Sequence, residues 1–125
     1  MKAVKTFEEA CHQLGYDTSI PSFNNAPEKH RKALKAHYQL IIITEAVNDG
    51  WQPDWADEDQ RKFELWPDVI EDKTSPSGFG LSFHGYDHWL TYTIVGSRLC
   101  FVSREAARHC FETFKSLWED YMLIG

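Results

Sequence analysis

The chain has 125 residues, 42% hydrophobic and 14% aromatic, with a formal net charge of −6. That length suits one domain whose core needs neither a disulfide nor a metal, and its longest apolar run, Leu40 to Ile43, is too short to cross a membrane. Between Asp49 and Asp72 nine acids face two bases, a local charge of −7 that leaves −6 − (−7) = +1 for the rest; such a balance argues against direct nucleic-acid binding, which needs cations against phosphate.

The first element opens at Thr6, followed by Glu9 in capping-box spacing. Phe7, Ala10, Cys11 and Leu14 recur at helical period, and Gly15 supplies a left-handed stop, so a helix is expected over 7–14. After a loop, Pro27 suits the first turn of a second helix, with Asn25 or Ala26 as its cap. This helix runs to Asn48 and stops at Asp49-Gly50. Its first half is amphipathic, with Leu34 and Tyr38 on one face. Its second half, "LIIITEAV", is apolar nearly all round, as in a helix buried on more than one side.

"DGWQPDWADEDQ" reads as an acidic loop. A strand over 61–66 follows, with Phe63 and Leu65 on one face and Pro67 ending it or placing it at an edge. "EDKTSPSG" is a turn-rich connector. Strands are expected over 79–84 and 90–95, broken near Gly85 by a hairpin or bulge. Leu99 to Val102 alternate in a fourth strand, 98–102. Ser103 then caps a long helix over 104–122 whose stripe is Ala107, Cys110, Phe111, Phe114, Leu117, Trp118 and Tyr121, with His109 beside it and pointing outward. The predicted architecture is a single α+β domain, residues 1–125, of three helices packed on a small, mainly antiparallel sheet.

Three cysteines, Cys11, Cys100 and Cys110, and no signal peptide point to reduced thiols in a cytoplasm. Cys100, His109 and Cys110 lack the close pairing of a zinc site, and Cys110 lies on an apolar stripe, so these thiols are read as structural and no metal or cofactor is expected. "HGYDHW" gathers His84, Asp87 and His88, which are the best acid–base candidates by residue type. "SGFGLSF" echoes the strand motif of RNA-recognition domains, but Ser77 replaces the leading base and His84 the closing aromatic.

Trp51 and Trp55 flank Pro53 among Asp54, Asp57, Glu58 and Asp59. Either the indoles turn inward and pin the loop to the end of the second helix, or they form an exposed aromatic patch ringed by acids that receives a basic or aromatic partner. Trp51, Asp54, Trp55 and Asp57 are the candidate binding residues.

The stretches "TFEEACHQLG", "KALKAHYQLIIITEAVNDGWQPDW", "SGFG" and "VGSRLCFVSREAA", with the ending "FKSLWEDYMLIG", resemble an uncharacterised family of small proteins from Bacteroides-type bacteria and their phages or prophages. "RKFELWPDV" departs from the tyrosine-rich strand of that family. The resemblance implies a mobile-element origin and carries no catalytic residue across. The function expected is that of a prophage accessory protein acting as a non-enzymatic binding module for a protein partner, without membrane association. The alternatives are a small hydrolase-like enzyme using His84, Asp87 and His88, and an acidic DNA mimic.

Overall fold

The computed structural model describes residues 1–82, 86–90 and 97–124, with 86–90 described by backbone alone. Along the chain run helices α1 (Phe7–Leu14) and α2 (Glu28–Asn48), strands β1 (Arg61–Leu65), β2 (Asp68–Glu71), β3 (Phe79–Ser82) and β4 (Tyr86–Leu90), and helices α3 (Arg104–Thr113) and α4 (Lys115–Met122). The mixed helix-and-strand class is as expected. The helices number four rather than three among the described residues, and the strands form two antiparallel pairs, β1 with β4 and β2 with β3.

Helix α1 begins where expected: Thr6 Oγ1 accepts from Glu9 N–H at 3.0 Å. The Glu9 carboxylate reaches back one residue further than a capping box requires, to Lys5 N–H. Gly15 closes the helix in the left-handed region, φ 74°. Helix α2 has Pro27 at its N-cap and no side-chain cap, contrary to the expectation for Asn25 or Ala26. Arg31 instead folds back from the first turn and donates to the carbonyls of Ala26 and Asn24. The stop is Asp49, itself left-handed at φ 50°, followed by Gly50 at φ 89°. In the apolar half, Leu40, Ile42, Ile43, Thr44, Ala46 and Val47 are all buried while Glu45 stays exposed.

The long C-terminal helix breaks at Phe114, whose φ of −117° and ψ of 32° lie outside the helical range. Its carbonyl still accepts from Leu117 and Trp118 N–H. No glycine or proline marks the break; β-branched Thr113 and aromatic Phe114 are modest helix formers, and the two halves serve different partners. Helix α3 packs on β1 and α2, and α4 on α2 and β3. The predicted stripe survives: Ala107, Cys110, Phe111, Phe114 and Trp118 enter one buried cluster with Val4, Phe7, Leu40, Ile43, Phe63 and Phe101. His109 does not point outward. It is half-buried, and its Nε2 lies 2.7 Å from the carbonyl of Val4, pinning the N-terminal segment.

The strand expected over 61–66 ends at Leu65, and after Trp66-Pro67 the chain re-enters β structure as β2, a strand that the sequence pattern does not predict. The strand expected over 79–84 is present through Ser82; His84 and Gly85 lie outside the described residues, as does 91–95 of the strand expected over 90–95. Among the described residues the strand over 98–102 is reduced to a single bridge, Phe101 to Phe63, closed by bonds of 2.7 and 3.2 Å. The reason lies in Asn48. Its buried amide donates to Cys100 C=O at 2.9 Å and accepts from Val102 N–H at 3.0 Å, so one side chain at the end of α2 takes the place of a neighbouring strand and ties 100–102 to the helix.

The glycines of "SGFG" have structural tasks. Gly78 turns the chain at φ 83°. At Gly80 a Cβ would stand 2.9 Å from Glu119 Oε2, the oxygen that accepts from Leu81 N–H at 2.9 Å. The bond from Asp72 N–H to Gly78 C=O makes Glu71–Phe79 a non-hydrogen-bonded pair. Pairing alternates along the strand, so Val69–Leu81 is another such pair and the Leu81 N–H points away from β2. Glu119 covers that free strand edge, and the missing side chain at Gly80 lets it approach.

Candidate functional site

Ile41, Glu45 and Asn48 are spaced by four and three along α2 and so share a face. With Tyr16 from just beyond α1, the 51–55 loop and residues 97–100, they line an open cavity of about 620 Å³, within the size range of ligand pockets. Trp51, Pro53 and Trp55 form the loop side of its wall, and Ser97, Arg98 and Cys100 another part.

The loop is held by local chemistry. Trp51 N–H donates to Asn48 C=O at 3.1 Å, extending the end of α2. Asp54 Oδ1 accepts from Ala56 N–H and Asp57 Oδ1 from Asp59 N–H, short side-chain turns that free the chain from needing a sheet or helix partner. Gln60 Oε1 accepts from Asp54 N–H. Beneath the loop, Lys62 is fully buried. Its ammonium donates to the carbonyls of Asp57 and Gln60 at 3.1 Å each and sits 5.5 Å from the centre of the Trp55 ring, a cation–π arrangement. The charge is held by backbone dipoles and an indole.

The two tryptophans meet neither extreme of the sequence expectation. Both are half-buried and border the cavity, Trp55 with Lys62 against its ring. Asp54 and Asp57 do not line it; their carboxylates are turned to the loop's own amides. Residues that the sequence reading missed are Tyr16, Glu45 and Arg98. The 41-45-48 spacing on α2 carried a signal for Glu45, but Tyr16 and Arg98 are brought in by tertiary contact alone. Tyr16 Oη lies 2.9 Å from each carboxylate oxygen of Glu45, and this hydrogen bond holds the phenol above its ordinary pKa.

Behind the cavity, burial and then the neighbouring Glu64 carboxylate push the Cys100 thiol up to about 11. Glu64 is itself raised by burial, partly offset by a hydrogen bond from Ser97, and its Oε1 is buried without a hydrogen-bond partner among the described residues. In the core, burial pushes Cys110 up to about 12, with weak opposing hydrogen bonds from Trp118 and Thr44. Among the described residues the Trp118 indole N–H and Thr44 hydroxyl have no oxygen or nitrogen partner, and the Cys110 sulfur, a weak acceptor, is the group they bear on. All three thiols are free and buried. Cys100 belongs to the cavity wall and Cys110 to the core, and among the described residues no three His, Cys, Asp or Glu side chains are grouped to hold a metal ion.

Asp87 and His88 lie in β4, opposite Glu64 and Phe63 of β1, and His84 lies outside the described residues. No described helix is long and apolar enough to cross a membrane. Compared with known protein families, curated proteins and solved structures, the chain matches none.

Proposed function

We propose that this protein is a non-enzymatic binding module, an accessory protein of a prophage or related mobile element, that engages a protein partner through the cavity walled by Trp51 and Trp55. The observation that carries this reading is the placement of the two indoles. A solvated loop would leave them exposed and a purely structural one would bury them; here they are half-buried on one concave surface with Tyr16. Trp55 is held from beneath by Lys62, so little ordering remains to oppose binding. Half-exposed tryptophans at a concavity are common anchors of interfaces. The mobile-element setting rests on the sequence resemblance, and a cytoplasmic one on three free cysteines. The acids of the 49–59 loop favour a protein partner over a nucleic acid.

The test is a peptide array of basic, acidic, aromatic and aliphatic segments, probed with the wild type and with a Trp51→Ala/Trp55→Ala double variant shown by circular dichroism to be folded. Peptides bound by the first and released by the second support the site. Binding that ignores both substitutions removes it.

A further inference from the structure

We infer that the group received by this cavity is a cation, the lysine or arginine side chain of a basic segment in the protein partner. The inference rests on the binding reading above and specifies its chemistry.

Three observations converge. Tyr16, Trp51 and Trp55 present aromatic rings to one cavity, and ring faces attract cations, most of all those of indoles. Glu45, the one acid among the described lining residues, is exposed, and the Tyr16 hydroxyl holds both its oxygens at 2.9 Å. The carboxylate is thereby oriented while retaining lone pairs for an incoming N–H. Finally, the loop from Asp49 to Gln60 carries five acids and no base, a field that steers cations toward the cavity mouth.

Arg98 is the one base among the described lining residues, and it is exposed. An anion drawn to it would also meet Glu45 in the wall and the field of the five acids in the adjoining loop, which together outnumber Arg98 and the buried Lys62. Arg98 does provide a discriminating substitution. If the occupant is a cation, Arg98 opposes it and its removal tightens binding. If the occupant is an anion, Arg98 is its principal partner and its removal abolishes binding.

The experiment titrates the protein with three synthetic peptides of equal length, alternating glycine with arginine, glutamate or phenylalanine, and follows the indole N–H resonances of Trp51 and Trp55. The arginine peptide is expected to shift both resonances to saturation, with affinity falling as salt is added. Arg98→Gln should tighten it about two- to fivefold and Glu45→Gln weaken it about two- to fivefold, the range of exposed charge pairs. Trp55→Ala should weaken it about tenfold or more. The two charge substitutions lie on the surface, so they stay informative even if Trp55→Ala compromises folding. Preferential binding of the glutamate or phenylalanine peptide, lost with the tryptophans, would overturn the cation while leaving the cavity as the binding site. Arginine-peptide binding that persists in the Trp51→Ala/Trp55→Ala variant would reduce the effect to diffuse surface charge and overturn it too. Absence of any shift with the arginine peptide does the same.

Discussion

Replacing Gly80 by alanine tests how α4 is seated on β3. Gly80 has no positive φ, so alanine fits the backbone, and reduced unfolded-state entropy alone would stabilise the protein by about 0.4–1 kcal/mol. The new Cβ would stand 2.9 Å from Glu119 Oε2, with Asp72 Oδ2 at 3.4 Å. Glu119 must swing away, and the Leu81 N–H loses its acceptor in a residue only 1% exposed. An orphaned buried donor costs about 1–3 kcal/mol. The net expectation is a loss of about 1 kcal/mol, or roughly 3–5 °C in melting temperature for a chain of this size. Glu119→Ala should cost about as much by the same route. The decisive comparison is the double variant: with Glu119 shortened, the main clash is gone, and Gly80→Ala should stabilise that background by about 0.5 kcal/mol. Urea denaturation of the four proteins measures the cycle, with an expected coupling of about 1.5 kcal/mol. If Gly80→Ala stabilises the wild type, or the two effects add within about 0.5 kcal/mol, Glu119 does not hold the strand edge.

Asn48→Ala strips partners from Cys100 C=O and Val102 N–H together; a loss of about 2–4 kcal/mol in chemical denaturation is expected, far above that of an exposed Asn. Glu64→Gln should raise the melting temperature at pH 7. The carboxyl is pushed up by burial, so the folded state holds its proton to higher pH than the unfolded one. The stability tied to that proton is complete below the ordinary carboxylate range and is lost as pH rises through the folded value. The advantage of Gln should therefore shrink as the pH falls, and a constant difference across pH would contradict the burial argument. None of the three thiols should react with a disulfide reagent at pH 8 in the native state, and all three should react in denaturant, because each is buried and Cys100 and Cys110 are pushed to about 11 and 12. Cys110→Ala should cost about 1 kcal/mol in chemical denaturation, and near-neutral stability would show that its sulfur fills no needed volume.

The helix ends were legible in the chain because their causes are local. Thr6, Ser103, Gly15 and Asp49-Gly50 act through backbone groups within a few residues, and the structure places helix ends at all of them. Apolar period likewise marked the buried stripe of the C-terminal segment, since burying a face needs only a partner, not a particular one. The break at Phe114 was not legible: it follows from α3 and α4 packing on different strands, and nothing in "ETFKSL" encodes where those strands lie. The strand expected over 98–102 failed for a similar reason. Its alternation was real, but its second hydrogen-bonding edge was taken by Asn48, more than fifty residues earlier. At the cavity, sequence alone singled out Trp51 and Trp55 by type and spacing and placed Asp54 and Asp57 beside them. Only the fold decided that those two acids would turn to their own loop's amides. The fold also decided that the rings would meet Tyr16, Glu45 and Arg98, because a concave surface joins residues through space that no local rule of the chain brings together.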